Sequence, residues 1–320
     1  MNKSILSTLL SSFFCIFITF SCSNDIKFDN IQKKQNSQLI ADLERINQEL
    51  LLKLPHTHKT KGWSNWNREE KIKVVISDIG GAYGGAKKGF FFGAKIGIAI
   101  GSPHLVGGGC SALGALIGGA FASWMAAPTR LASDDFEKIQ ETCRIIVNND
   151  LTLNENAIIL KSDNADKKIS IAQNLLNETN LDKESLNIAK MHNIILSTLD
   201  GSITLDKTAI KDNQEAVMIN YLLNSTEFID SCKIAAIKAK NMEYGSDNDM
   251  TIKVMSLFNT ILKDYASKTD DVAFIIGKYM EVIESTTELT NEQKNFIRYG
   301  LATAIYSSNY WDKQYNEVTQ

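Results

Sequence analysis

The residues able to do chemistry are few in this chain, and their spacing keeps them apart. Its four histidines fall at His56, His58, His104 and His192. A structural or catalytic metal needs three or four converging ligands. Neither a CxxC nor a paired-histidine spacing provides them, so no metal ligand and no cofactor is assigned. His192 shares a helical face with Ile188 and Ile195, the setting of a hydrogen-bonded structural histidine rather than of a general base. Nucleophiles are no better placed. No GxSxG elbow occurs, and Cys143 and Cys232 lie on expected helices, where a packed thiol is the simpler reading. The glycine-rich stretch invites a phosphate-loop reading, but Lys87 and Lys88 follow Ala86 and precede Gly89, which breaks the GxxxxGKS/T pattern. No catalytic residue is assigned.

One cysteine has a distinctive context. A single positive charge at Lys3 precedes an uncharged apolar run over 4–20, which closes with Ile18-Thr19-Phe20-Ser21-Cys22. A short basic start before a compact apolar core is the pattern of a secretory signal. The end of the run resembles a lipobox, the bacterial motif in which a small residue precedes a cysteine that is diacylated through sulfur. Thr19 stands where leucine is usual, and Ser21 resembles the form common in Bacteroidota. The resemblance implies that residues 1–21 are a lipoprotein signal peptide and that Cys22 is the lipidated first residue of the mature chain. A retained transmembrane anchor or an ordinary cleaved signal is the alternative. Each buried methylene contributes ~0.8 kcal/mol, so two or three acyl chains hold a protein firmly to a membrane. Ser23, rather than aspartate, after Cys22 implies the outer membrane by resemblance to enterobacterial sorting, with the leaflet open.

Composition narrows the remainder. Against 34 Lys+Arg stand 37 Asp+Glu, a net charge of −3, so no basic footprint for nucleic acid exists. Only three prolines, with abundant Ile, Leu, Lys, Asn and Glu, favour helices. Once Cys22 is set aside, Cys110, Cys143 and Cys232 remain, an odd number without framework spacing. One disulfide would be allowed in an oxidising compartment, but buried thiols are the expectation.

The distinctive region runs from Lys71 to Pro128 and holds 14 of the 19 glycines. Gly81, Gly85, Gly89, Gly93, Gly97 and Gly101 fall four apart, a step that advances ~400° and aligns them as a slowly drifting groove on a helix. Each glycine costs about 1 kcal/mol relative to alanine inside a helix, so six in register demand a return. Close backbone approach of a second helix is that return. After Gly101-Ser102-Pro103-His104 breaks the first helix and Gly107-Gly108-Gly109 completes a flexible connection, a second small-residue series runs Ser111, Ala115, Gly119, Ser123, Ala127, with Cys110, Gly114, Gly118, Ala122 and Ala126 beside it. Two such stripes predict an antiparallel glycine-zipper hairpin, ended by Pro128. The second leg, Leu105 to Ala127, is uncharged and long enough to cross a bilayer, whereas Lys87, Lys88 and Lys95 burden the first. Both a packed hairpin and an inserted one therefore remain open. Trp63 and Trp66, just upstream, suit packing on the first leg or an interfacial anchor.

A lipobox cysteine followed by GxxxG-repeated helices resembles the glycine-zipper lipoproteins of Gram-negative outer membranes, proteins associated with envelope structure. The likeness covers Cys22 and residues 77–127. The long region after it reads as successive amphipathic helices. Ser133-Asp134-Asp135 gives a cap and acidic first turn before Phe136, Ile139, Cys143 and Ile146, and further helices are expected near 166–178, 182–199, 207–223, 226–242, 249–266, 270–285 and 291–309. Thr290 and Gln293 have capping-box spacing. Two phrases, Met191-His192-Asn193-Ile194-Ile195-Leu196 and Ser307-Ser308-Asn309-Tyr310-Trp311, resemble segments of uncharacterised Bacteroidota lipoproteins.

The expected fold is all-α, a glycine-zipper hairpin followed by a multi-helix bundle-like domain. Its divisions are a signal peptide (1–21), a polar tether (22–35), an amphipathic helix and loop (36–68), the hairpin (69–128) and a helical domain (129–320). Leu39, Leu43, Ile46 and Leu50 form the apolar stripe of the amphipathic helix. The expected role is a lipid-anchored, non-enzymatic envelope protein whose partner is the membrane, with self-association through the hairpin an option and no nucleic acid. A membrane-active toxin inserting the hairpin, and a helical hydrolase, are the alternatives.

Overall fold

In the computed structural model, residues 37–52, 68–100, 103–127, 135–147, 151–209, 217–240 and 249–317 are described. The signal, Cys22, the tether, His56, His58, Trp63, Trp66 and Gly101 lie outside them. Helices follow one another as α1 (Gln38–Leu52), α2 (Arg68–Ile100), α3 (Pro103–Ala126), α4 (Asp135–Ile146), α5 (Asp163–Ile169), α6 (Gln173–Glu178), α7 (Lys183–Leu199), α8 (Val217–Asn224), α9 (Thr226–Lys240), α10 (Met250–Tyr265), α11 (Thr269–Ser285) and α12 (Asn291–Glu317). The class is all-α and bundle-like.

The four-residue glycine period falls on the contact between α2 and α3. Gly81 meets Gly118, Gly85 meets Gly114, Gly89 meets Cys110, and Gly93 meets Val106 and Cys110. Numbers rise on one helix as they fall on the other, so the pair is antiparallel. A Cβ placed on Gly81, Gly85 or Gly89 would collide with a backbone carbonyl of α3, and one on Gly114 or Gly118 would collide with a carbonyl of α2. Only hydrogen fits there. Gly97 is buried in α2, and Gly119 faces both Ala82 and the Asp78 carbonyl of α2 and the ring of His192. Pro103 opens α3, where its missing N–H leaves no bond unmade, and Gly107, Gly108 and Gly109 continue the helix instead of forming a connection.

Other helices enclose this pair. On α9, Ala235 packs on Gly84, and Phe228 meets Phe92 with ring centroids 5.5 Å apart. Gly300 of α12 lies against Ile79 and Tyr83, and Phe296 meets Phe90 at 5.6 Å. The stretch Val106–Ala126 has the length and apolarity to cross a membrane, yet an 18-residue apolar window of it is 89% buried within the protein. Helix α1 buries Leu39, Leu43, Ile46 and Leu50 against α10 and α11. Its Asn47 accepts from the Tyr279 hydroxyl at 2.8 Å and donates to the Leu257 carbonyl at 3.0 Å. All of this belongs to one unit, Ser37–Gln320.

Local rules explain several boundaries. Thr290 and Gln293 make the reciprocal capping box, with Thr290 N–H donating to Gln293 Oε1 (2.9 Å) and Gln293 N–H to Thr290 Oγ1 (3.2 Å). The helix expected near 166–178 is two, because Ser170 adopts an extended backbone after Ile169. Of the helix expected over 207–223, the described residues form a 3₁₀ turn, Lys207–Ala209, and α8, and Asp206 Oδ1 accepts from both the N–H and the hydroxyl of Thr208. Two short strands, β1 (Ile158–Leu160) and β2 (Ile203–Leu205), pair antiparallel with Ile159 opposite Thr204. Three residues are too few to show the period-2 alternation that announces a strand.

Candidate functional site

The two phrases at 191–196 and 307–311 meet inside the molecule. They converge on Asp78, a carboxylate midway along α2 with no exposed surface. Its Oδ2 accepts from the hydroxyls of Ser123 (2.7 Å, from α3) and Ser307 (2.5 Å, from α12) and from Trp311 Nε1 (3.3 Å, from α12). His192 Nε2, from α7, approaches the same oxygen to 3.9 Å. Three helices thus place polar groups around one oxygen of a fourth. Gly119 is part of the arrangement, since a Cβ there would stand 3.2 Å from His192 Cδ2.

The asparagines of the two phrases do a different task. Asn193 Nδ2 donates to the carbonyls of Lys168 (2.8 Å) and Tyr306 (2.7 Å). Asn309 Nδ2 donates to those of Lys167 (2.9 Å), Lys168 and Ser170 (both 3.3 Å). The carbonyls of Lys167, Lys168 and Ser170 are at the end of α5, where intrahelical partners run out, so two side-chain amides close a helix terminus against α7 and α12. With its amide nitrogen thus committed, Asn193 turns Oδ1 to His192 Nδ1 at 3.2 Å. That acceptor fixes the proton on Nδ1. Close by, the buried Lys168 ammonium donates to Asp200 Oδ2 (3.1 Å) and Ser202 Oγ (2.8 Å), and the Tyr310 hydroxyl donates to the same Asp200 oxygen at 2.7 Å.

Burial sets the protonation of the central pair. It pushes the Asp78 carboxyl up to about 7, although the Ser307, Ser123 and Trp311 hydrogen bonds pull the other way. It pushes His192 down to about 4, against hydrogen bonds with Asn193 and the Gly119 backbone. At 3.9 Å the two are near enough for an ion pair, but between those values both are uncharged, because desolvation disfavours each charged form.

A serine, a histidine and an aspartate have therefore been brought together, but not in the order that nucleophilic catalysis uses. Both serine hydroxyls donate to the carboxylate, whereas activation requires the hydroxyl on the imidazole. His192 and Asp78 are at most 1% exposed. The adjoining hollow, lined by Ser123, Trp124, Leu196, Tyr310, Trp311 and Gln314, has about 20 Å³ of room, space for a water and not for a substrate. An open cleft of about 850 Å³ lies elsewhere, between α4, β2 and α8. Within it Glu141 stands 3.5 Å from both Arg144 and Lys207, so its charges oppose one another.

The thiols are buried and free at Cys110, Cys143 and Cys232. Burial raises the first two to about 12 and the third further, helped by its two neighbours. Thiols so protonated are poor nucleophiles. Among the described residues no group of His, Cys, Asp and Glu is arranged to hold a metal ion. Asp78 carried no signal in the sequence: a lone acid in a glycine-rich helix points to no partner until the fold is known. No protein-family model, curated protein sequence or solved structure matches the chain.

Proposed function

We propose that this chain is a lipid-anchored protein of the cell envelope, acylated at Cys22 and held at the outer membrane, whose role is structural or interactive and not catalytic. The observation that carries the second half is the Asp78 cluster. Its hydroxyls, indole and imidazole are turned on one buried carboxylate, and the neighbouring asparagine amides on the end of α5, joining α2, α3, α7 and α12 rather than facing a substrate. The first half rests on the apolar run before Cys22 and the small residue at Ser21. The buried state of α3 favours a packing role for the glycine hairpin over insertion.

Metabolic labelling with a palmitate analogue, followed by membrane fractionation, tests the anchor. Wild-type protein should carry label and fractionate with outer membranes, and the Cys22→Ala protein should carry none. Equal labelling of the two would overturn the assignment.

A further inference from the structure

The distal half of α2 presents a face that no other described residue covers. Lys88, Phe91, Lys95 and Ile98 are all exposed, Phe91 by 52% and Ile98 by 69%. Spacings of three and four at ~100° per residue place the four within roughly a quarter of the helix circumference. The opposite side carries Gly93 into the zipper and buries Gly97, while Phe90 and Phe92 turn to Phe296 and Phe228. The exposed stripe therefore alternates cation and large apolar side chain toward the end of the hairpin.

Its charge is one-signed. None of the chain's 37 acidic residues falls in 79–133, although lysines stand at 87, 88 and 95. Lys87 is used internally, paired with Asp249. Neither Lys88 nor Lys95 pairs with a carboxylate among the described residues. The exposed isoleucines of α9, Ile234 and Ile237, differ in having both Asp230 and Lys233 on their face.

We propose, building on the membrane setting above, that the face of Lys88, Phe91, Lys95 and Ile98 docks on an anionic phospholipid surface. The lysines meet headgroup phosphates while the phenyl and isoleucyl groups enter the acyl boundary, as interfacial amphipathic helices do. A second copy of the chain suits the face less well, because two such faces would bring their lysines together with no carboxylate on either to pair with them. Docking here would lay the hairpin's end on the bilayer and leave α3 inside the protein.

The test uses the chain from Ser23 onward, which keeps the whole unit Ser37–Gln320 and cannot be acylated, so its result is independent of Cys22. Co-flotation is measured with phosphatidylcholine vesicles with and without phosphatidylglycerol. Wild type should float with the anionic vesicles only, and less as salt rises. Lys88→Gln/Lys95→Gln should weaken binding about 30-fold, at roughly fivefold per lysine, and Phe91→Ala/Ile98→Ala about tenfold. All four positions are exposed, and unchanged thermal melting would verify that the variants fold. Equal flotation with both vesicle types, or variants that float like wild type, overturns the proposal. So does a dimer in sedimentation that Phe91→Ala/Ile98→Ala dissociates. Failure of palmitate labelling would leave this docking result intact, and the converse holds too.

Discussion

Asp78 illustrates how one side chain can tie together distant parts of a sequence. The groups that reach it come from residues 45, 114, 229 and 233 positions downstream, and a carboxyl in that environment is stable chiefly when it keeps its proton. Its folded pKa of about 7 exceeds the ordinary 3.8, so the stability it contributes is complete below pH ~3.8 and is lost as pH rises through about 7. His192 works in the other direction. Its folded value of about 4 lies below 6.5, so its contribution is complete above pH 6.5 and is lost as pH falls through about 4. Between pH 4 and 6.5 the two slopes oppose and nearly cancel. Asp78→Asn removes one of them while keeping an oxygen for Ser123, Ser307 and Trp311. Relative to wild type, the variant should gain stability as pH rises from 4 to about 7, by about 1.4 kcal/mol per unit, and no more above that. Denaturant unfolding at a series of pH values reads this directly, and a constant difference between the two proteins would show that Asp78 is already ionised in the fold.

At the level of the helix, the same amino acid has opposite consequences at different positions of the hairpin. Gly85 faces the Gly114 backbone, where a methyl group would collide with a carbonyl that cannot move aside. Gly108 has nothing within 4 Å of where its Cβ would be. Alanine gains about 1 kcal/mol of helix propensity at either place. Overpacking commonly costs 1–3 kcal/mol, occasionally more, and at Gly85 it must separate two backbones. Gly85→Ala should therefore lower stability by about 2 kcal/mol or more, and Gly108→Ala should raise it by up to about 1 kcal/mol. Thermal unfolding followed by circular dichroism separates the two outcomes. Much at this scale was legible in the sequence, because a repeat of four on one helix and small residues on the next leave few ways to arrange the pair. The stripe of α1 and the Thr290–Gln293 cap were legible for the same reason: each is a rule confined to one or two turns. The division of α5 from α6 was not. It depends on Asn193 and Asn309 arriving from α7 and α12 to satisfy carbonyls that a continuous helix would have used itself, and no local pattern announces a partner 139 residues away.

For the molecule as a whole, the decisive feature is that its most apolar helix is its core and not its surface. α3 is covered by α2 on one side and by α7, α9 and α12 on others, and its Ser123 hydroxyl is held by Asp78. Exposing it to lipid would abandon those contacts, strand a carboxyl and a histidine that burial has kept neutral, and draw Lys95 of α2 toward a hydrocarbon layer in which a lysine costs about 2.5–3.5 kcal/mol. Apolar length alone could not distinguish this outcome from a membrane span, since a helix apolar all round is expected in either solvent; the distinction lies in the amphipathic helices that close over it. The folded chain from Ser23 onward should accordingly release no trapped dye from anionic vesicles at neutral pH, even where it binds them. Release that accompanies binding, and that disappears when the hairpin is pinned by a disulfide engineered between α3 and α12, would mean that the core opens on the membrane and that a membrane-active role displaces the scaffold reading.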